Sequence, residues 1–131
     1  MPLIDFSEED ILRSKIVEPA WYRCKIETVE LPAISSKGDS TNYVLKGKIL
    51  FNADSGDKTF AGVPCPYWGF NSKAKSNMVG LFAAFGAEPK SGSRMELNDV
   101  EGKEIDVFIE NDLYNGQTVN RIHHKYRAPR S

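Results

Sequence analysis

Apolar and polar residues alternate with a period of two in several separate segments of this chain, and no other pattern constrains its fold as much. In the first such segment the apolar side chains fall at Tyr22, Cys24 and Ile26, between charged residues. The alternation recurs in "TNYVLKGKILF" (41–51), "KEIDVFIEND" (103–112) and "QTVNRIHHKY" (117–126). Because successive side chains of a strand point to opposite faces, each segment is predicted to be a strand with one face on the core.

Two of the predicted strands are expected to be irregular. After Ile26 the apolar positions shift by one residue, to Val29 and Leu31, which predicts a β-bulge and a bend in the first strand. A third extended segment, "TFAGVPCPYWGF", contains Pro64 and Pro66. Because proline cannot donate to a backbone ladder, the second half of this segment is predicted to lie at a sheet edge or a bulge.

The remaining elements are a hairpin turn and helices. Asn115-Gly116 is the dipeptide that most strongly predicts a two-residue hairpin, here between the last two strands. Apolar residues in "NSKAKSNMVGLFAAFG" recur at helical spacing up to Gly86, a favourable C-terminal stop. Near the start, Ser7 and Asp10 resemble a capping box, which predicts a short helix or an arm before the first strand.

The order of these elements predicts the fold class. Three strands, one helix and two further strands follow one another, and this is the element order of the OB-fold, a small and partly open barrel. We therefore expect an all-β chain with one helix, folded as a five-stranded OB-fold barrel (β-β-β-α-β-β). The 131 residues are divided into an acidic N-terminal segment (1–18), the OB-fold domain (19–127) and a basic tail (128–131).

The sequence lacks the patterns on which most catalytic and metal sites are built. It contains no phosphate-binding glycine loop, no nucleophile elbow and no cysteine pair at metal-ligand spacing. His123 and His124 are adjacent on a predicted strand, so their side chains point to opposite faces and are poorly placed to chelate one ion. We expect no enzyme activity, no cofactor and no metal.

Cysteine usage and hydropathy indicate the compartment. Cys24 and Cys65 form no disulfide framework, which favours a reducing environment with free thiols. The sequence contains no run of about 18 apolar residues, so no membrane span is predicted. We expect a cytoplasmic protein with no membrane contact.

Basic residues gather on single faces of three predicted strands, although the formal net charge is −1. In the last strand, Ile122, His124 and Tyr126 share the parity expected to face the core. The opposite parities hold the cations expected to face outwards, with one histidine, His123, beside them on the last strand. These cations are Arg23 and Lys25 on the first strand, Lys46 and Lys48 on the second, and Arg121, Lys125 and Arg127 on the last. Taken together, these residues fit a binding face about as well as they fit the ordinary polar exterior of a barrel.

Aromatic residues are the second component of a possible binding site. Single-stranded nucleic acid is held by a cationic groove and by aromatic side chains, on which each stacked base contributes ~1–3 kcal/mol. Trp68 and Tyr114 are predicted to stack on bases, with Tyr67 as an equal alternative to Trp68 for an exposed position. Lys73 and Lys75, near the start of the predicted helix, are candidate phosphate contacts. Solvation alone is the alternative explanation for these two lysines.

Three segments of the chain resemble a known family. "GDSTNYVLKGKI", "FNSKAKSNMVGLFAAFG" and "DVFIENDLYNGQTVNRIHHKYRA" are similar to small phage-encoded single-stranded DNA-binding proteins of the OB-fold type, over residues 18–128. The resemblance implies an OB-fold without catalytic activity that binds single-stranded DNA largely independently of sequence. It also implies the host cytoplasm as location, and it is compatible with replication or recombination proteins as partners and with a homo-oligomer. Many such proteins carry an acidic C-terminal tail, whereas the acidic residues here gather at the N-terminus.

Two other functions stay open at this point. OB-like barrels also bind peptides and sugars, so a protein-interaction or virion-assembly domain without nucleic-acid binding is the first alternative. A small hydrolase or nuclease accessory is the second, although the sequence offers no ligand set for a catalytic metal.

Overall fold

A computed structural model describes residues 2–129, so Met1 of the predicted N-terminal segment and Arg130 and Ser131 of the predicted basic tail lie outside the described residues. The elements are two α-helices, α1 (Glu8–Arg13) and α2 (Ser76–Ala84), and six strands, β1 (Ala20–Val29), β2 (Ala33–Ile34), β3 (Thr41–Asn52), β4 (Trp68–Asn71), β5 (Glu104–Tyr114) and β6 (Gln117–Arg127). Two short 3-10 turns cover Ser72–Ala74 and Leu97–Val100. No helix in the described range is long and apolar enough to cross a membrane.

The strands form one antiparallel sheet, and the prediction of a mostly-β fold is confirmed. The sheet order is β2-β3-β1-β5-β6, and β4 pairs with β3. Two features differ from a closed five-stranded barrel. The polar loop before Thr41 contains the additional strand β2, which pairs with Thr41 and Asn42, and over residues 2–129 the backbones of β4 and β6 do not pair, so the sheet is open.

Aromatic side chains lie between β4 and β6, where backbone pairing is missing. The rings of Trp68 and Tyr126 are stacked with centroids 6.0 Å apart, and those of Phe70 and His124 are 4.8 Å apart. Near this point three residues of β6, His123–Lys125, lie opposite the single residue Phe108, and His124 adopts a left-handed backbone conformation with φ of 60°. The slip of register on β6 accommodates these bulky rings.

The core lies inside the curved sheet and beneath α2. Its largest fully buried side chains include Trp68, Tyr22, Ile26, Leu45, Ile49 and Leu81. Helix α2 covers one end of the sheet with Leu81, Phe82 and Ala84, as its apolar spacing predicts. Burial of side chains of this size stabilises the fold by roughly 1.5–3 kcal/mol each.

The predicted bulge in β1 is confirmed. Its register with β3 shifts between Ile26 and Thr28, within the stretch where the alternation changes parity. Opposite this bulge, Gly47 lies so close to β1 that a Cβ atom there would be 2.3 Å from the carbonyl oxygen of Lys25. Glycine at this position therefore permits the two strands to cross closely where the sheet curls.

The proline-containing segment is only partly a strand. Ile49 N donates to the Val63 carbonyl and Cys65 N donates to the Gly47 carbonyl, both at 2.9 Å, so the chain follows the edge of β3. Pro64 and Pro66 have no N–H to donate, and regular pairing resumes only at Trp68. The edge position predicted for this segment is confirmed, whereas β4 is shorter than the sequence indicates.

The N-terminal segment contains a short helix, and the residues after that helix attach it to the sheet. The predicted capping box is present, with Asp10 N donating to Ser7 Oγ at 3.1 Å and Ser7 N donating to Asp10 Oδ2 at 2.9 Å. Val17 is buried, and its N–H donates to Asn120 Oδ1 on β6 at 3.0 Å. Leu12 also packs against the core, so α1 lies against the domain.

Candidate functional site

A large groove lies over the outer face of β3. It has a volume of about 590 Å³. Its floor and walls come from Val44–Lys48 of β3, from Glu27 and Thr28 of β1, from the segment Pro64–Trp68, and from Glu9 and Arg13 of α1. Of the predicted site residues, this groove brings together Lys46, Lys48 and Trp68.

The aromatic residue exposed at this groove is Tyr67, with 67% of its surface accessible. A Cβ atom added to Gly69 would be 2.3 Å from the Tyr67 hydroxyl oxygen, so the ring lies across the backbone of β4 at Gly69. Any larger residue at position 69 would displace the ring. The chain therefore presents one flat aromatic surface on the outer face of β4, beside two lysines.

Trp68, the predicted stacking residue, is fully buried. Its Nε1 donates to the Tyr126 hydroxyl at 2.7 Å, and the side chain belongs to the core. Alternation within "YWGF" could have distinguished Trp68 from Tyr67. Trp68 and Phe70 point to the same face of the strand and together carry more apolar surface than the other two residues. This leaves Tyr67 and Gly69 on the outer face.

The two groove lysines, Lys46 and Lys48, each pair with a glutamate. One glutamate lies on β1 and the other directly follows β1. Lys46 Nζ is 3.0 Å from Glu30 Oε1, and Lys48 Nζ is 3.8 Å from Glu27 Oε2. All four side chains are between 39% and 61% exposed. Exposed ion pairs of this type contribute only about 0–1 kcal/mol, so each lysine can exchange its partner for another anion at little cost.

Arg23 and Arg127, two further predicted DNA contacts, form ion pairs with a buried carboxylate. Arg23 is 9% exposed, and its Nε lies 2.6 Å from Oδ1 of the fully buried Asp106. Arg127 Nε donates to the other oxygen of Asp106 at 3.2 Å, and its guanidinium stacks 4.5 Å above the Trp21 ring. Asp106 lies directly opposite both arginines in the strand registers. The outward parity of these arginines was predicted, but the buried carboxylate between them was not.

The basic face of β6 is matched by acidic residues of β5. Lys125 Nζ donates to Glu110 Oε1 at 2.7 Å, and Arg121 Nε is 3.5 Å from Asp112 Oδ2. His123 Nε2 is 2.9 Å from the same Asp112 oxygen. Paired strands thus form a charge-balanced surface where the alternation of β6 alone predicts a cationic one.

The lysines near α2 do not form one site. Lys73 Nζ donates to Asp39 Oδ2 at 2.5 Å, and this bond lowers the pKa of the Asp39 carboxyl. Lys75 lies at the rim of a second groove, which is mostly apolar. Lys25 is half-buried on β1. Within residues 2–129 neither Lys25 nor Lys75 takes part in an ion pair.

Tyr114 is at the tip of the β5–β6 hairpin and does not line the groove over β3. It is 62% exposed, next to Leu113, which is 77% exposed. Asn115 and Gly116 have φ values of 50° and 77°, as a two-residue hairpin with both central residues left-handed requires. The predicted turn is confirmed, and it presents two apolar side chains to solvent.

The described residues contain no group of three or more His, Cys, Asp or Glu side chains that could hold a metal ion. His123 points to solvent and to Asp112, whereas His124 packs on Phe70. Neither a protein-family model nor a curated protein sequence matches this chain. The resemblance to phage single-stranded DNA-binding proteins therefore rests on the sequence segments that carry it.

Proposed function

We propose that this protein binds single-stranded DNA, largely independently of base sequence, along the groove over β3 and β4. The path β4-β3-β1-β5-β6 with α2 between β4 and β5 corresponds to the strand neighbours and helix position of an OB-fold. OB-folds bind oligonucleotides on the face of their second and third strands, and we assign β3 and β4 to that face. The sequence resemblance to phage replication and recombination proteins agrees with this assignment.

The observation that carries the proposal is the position of Tyr67. Its exposed ring lies against Gly69, and Lys46 and Lys48 line the same groove. A base stacks on this ring while the flanking phosphates bind the two ammonium groups. This combination of an aromatic surface and cations tolerates any base, because every base has a π-face. A paired duplex hides its base faces, so binding favours single strands.

Binding proceeds by exchange of ionic partners. Each phosphate replaces a glutamate carboxylate beside Lys46 or Lys48, and the released carboxylates Glu30 and Glu27 return to solvent. The affinity falls with salt, with a slope of roughly −0.7 per phosphate neutralised on a single strand. Because only a few cations line this groove, we expect a shallower salt dependence than that of a strongly basic protein.

The test is fluorescence anisotropy with a labelled oligothymidine and with a duplex of the same length, at two salt concentrations. Tyr67→Ala removes the stacking surface and lowers the affinity by about 1–3 kcal/mol, whereas Tyr67→Phe keeps the ring and most of the affinity. The double variant Lys46→Gln/Lys48→Gln weakens binding and flattens the salt slope. Its matched control is Lys58→Gln/Lys90→Gln, two exposed lysines outside the groove. Equal losses in the two double variants, or equal affinity for duplex and single strand, would contradict the proposal.

A protein-interaction domain is the second candidate, and the charge balance of the surface favours it. Seven of the nine Lys and Arg residues predicted for DNA contact have a carboxylate partner on a neighbouring strand or loop. A surface of this kind suits a protein partner with alternating charges at least as well as a polyanion. On this alternative the Lys46→Gln/Lys48→Gln variant keeps its function, and no labelled oligonucleotide binds at low salt.

A further inference from the structure

A smaller groove adjoins the groove over β3 at Tyr67. It has a volume of about 320 Å³ and lies between the chain just after α1, the segment 64–67 and the start of β6, and we call it the α1–β6 groove. Its lining shares Arg13, Tyr67 and residues 64–66 with the groove over β3. A ligand that extends beyond Tyr67 therefore passes from one groove into the other.

The charge of the α1–β6 groove favours an anion. Among the described residues that line it, Arg13 is the one charged side chain. The groove over β3, by contrast, contains Glu9 and Glu27 beside its two lysines. A phosphate group therefore meets fewer carboxylates in the α1–β6 groove than over β3.

Arg13 is exposed, and its ionic partner can be replaced. Its Nη2 lies 2.7 Å from Oε1 of Glu9, four residues earlier on α1, and the two side chains are 59% and 64% exposed. Exposed ion pairs at this helical spacing contribute little to stability. A phosphate can take the place of the carboxylate and accept two parallel hydrogen bonds from the guanidinium group.

The backbone around Arg13 is fixed to the rest of the domain. Val17 N donates to Asn120 Oδ1 on β6 at 3.0 Å, and Asn120 Nδ2 donates to the Lys15 carbonyl at 2.9 Å. On the other side of Arg13, Leu12 packs against the core. Because both flanks are attached, a ligand at Arg13 does not have to order the helix when it binds.

Apolar side chains form most of the remaining wall of the α1–β6 groove. Ile16 is 43% exposed, and Val119 on β6 is half-buried. Pro64 and Pro66 add two rigid rings, which lose no rotamer freedom when a ligand covers them. The groove thus offers a sugar or a base an apolar surface beside one cation, as Tyr67 and the lysines do over β3.

We propose that the single strand bound over β3 continues past Tyr67 into the α1–β6 groove, and that Arg13 binds the phosphate at the junction. This inference rests on the proposed DNA-binding function and extends its site. It brings residues before β1, which lie outside the predicted OB-fold domain, into contact with the strand. A strand in both grooves makes more contacts than one over β3 alone, so the affinity increases with length until both are filled.

Fluorescence anisotropy of the full-length protein with oligothymidines of about 4 to about 16 nucleotides, the range of OB-fold site sizes, tests this extension. Ile16→Asp places a carboxylate in the α1–β6 groove, outside the groove over β3. It should bind the shortest oligonucleotides like the wild type and the longest several-fold more weakly. Ile11→Asp is the matched control, on an exposed residue of α1 that lines neither groove. It should follow the wild type at every length.

Arg13→Gln provides an independent measurement through the salt dependence. Loss of one phosphate contact should reduce the slope of log affinity against log salt by roughly 0.7 on a long oligonucleotide. Lys15→Gln removes the same charge from an exposed residue that lines neither groove, and it should keep the wild-type slope.

The outcomes separate this extension from DNA binding itself. Equal slopes in Arg13→Gln and Lys15→Gln would overturn the extension and leave binding over β3 intact. Equal affinities of Ile16→Asp and Ile11→Asp for long oligonucleotides would do the same. A wild type that binds no oligonucleotide of any length would overturn both proposals.

Discussion

Trp68 Nε1 donates a hydrogen bond of 2.7 Å to the hydroxyl oxygen of Tyr126, and this bond joins β4 to β6 where their backbones do not pair. The same hydroxyl lies 2.8 Å from Nδ1 of His124. Because the indole N–H can only donate, the hydroxyl proton of Tyr126 is available to His124, whose Nδ1 accepts it. A neutral His124 with its proton on Nε2 satisfies this chain of hydrogen bonds.

Tyr126→Phe tests the contribution of this hydroxyl to stability. The substitution keeps the ring in place but leaves the buried indole N–H of Trp68 without its acceptor. An unsatisfied buried donor costs about 1–3 kcal/mol, so the free energy of unfolding should fall by that amount in a urea titration. Tyr114→Phe, on the exposed hairpin tip, should leave it unchanged. If the two variants are equally stable, the hydroxyl does not join the strands.

The stability of the fold should depend on pH through the protonation of His124. Burial lowers the pKa of His124, and the neighbouring His123 lowers it further. The unfolded chain therefore takes up a proton at a higher pH than the folded one. The stabilisation from neutral His124 is fully present above the ordinary histidine pKa of about 6.5 and is lost as the pH falls below it.

We expect the urea midpoint to decrease between about pH 7.5 and about pH 5.5, on either side of the ordinary histidine pKa. His124→Asn should show a smaller decrease, because asparagine tolerates the left-handed backbone and does not titrate. The same decrease in both proteins would assign the pH dependence to other groups.

The buried carboxylate of Asp106 should matter most to stability. Asp106→Asn removes the buried charge that pairs with both Arg127 and Arg23, the latter itself only 9% exposed. Removal of one partner from a buried ion pair costs about 3–5 kcal/mol. Glu110→Gln is the matched control, since its ion pair with Lys125 is exposed and contributes at most about 1 kcal/mol. Comparable losses in the two variants, measured by urea unfolding, would contradict a special role for Asp106.

Removal of the glutamates that neutralise the groove lysines should increase DNA affinity. In Glu27→Gln/Glu30→Gln, the ammonium groups of Lys46 and Lys48 lose their competing carboxylates, so a phosphate binds without displacing them. The expected gain is several-fold at low salt, since each exposed pair contributes about 0–1 kcal/mol. Glu88→Gln/Glu96→Gln, at two exposed glutamates outside the groove, controls for the same change in net charge. An unchanged affinity in an anisotropy titration would place the DNA elsewhere.

The hairpin turn offers a test of local backbone energetics. Asn115 has φ of 50°, a conformation that costs an alanine roughly 1–2 kcal/mol. Asn115→Ala should therefore destabilise the protein by about 1 kcal/mol in thermal unfolding, whereas Asn115→Gly should be close to wild type. If both variants unfold at the wild-type temperature, the hairpin tip does not take part in the cooperative unfolding of the domain.

The sequence by itself determined the features that depend on neighbouring residues. Alternation located β1, β3, β5 and β6, the shift of parity after Ile26 located the bulge in β1, and Asn115-Gly116 located the hairpin. Helical spacing located α2. These features follow from the side-chain period of a strand or helix and from the backbone preferences of single residues, and both are properties of short segments.

Only the tertiary structure decided which side chains are free to bind anything. Arg23 meets Asp106 across 83 positions of sequence, and Trp68 meets Tyr126 across 58. Alternation assigns a residue to a face, but it does not say what the neighbouring strand places beside it. For this reason the cationic stripes became ion pairs with the carboxylates of adjacent strands, and Tyr67, not Trp68, became the exposed aromatic residue. The charge and the aromatic surface of the groove depend on strand register, which is set by the packing of the whole sheet.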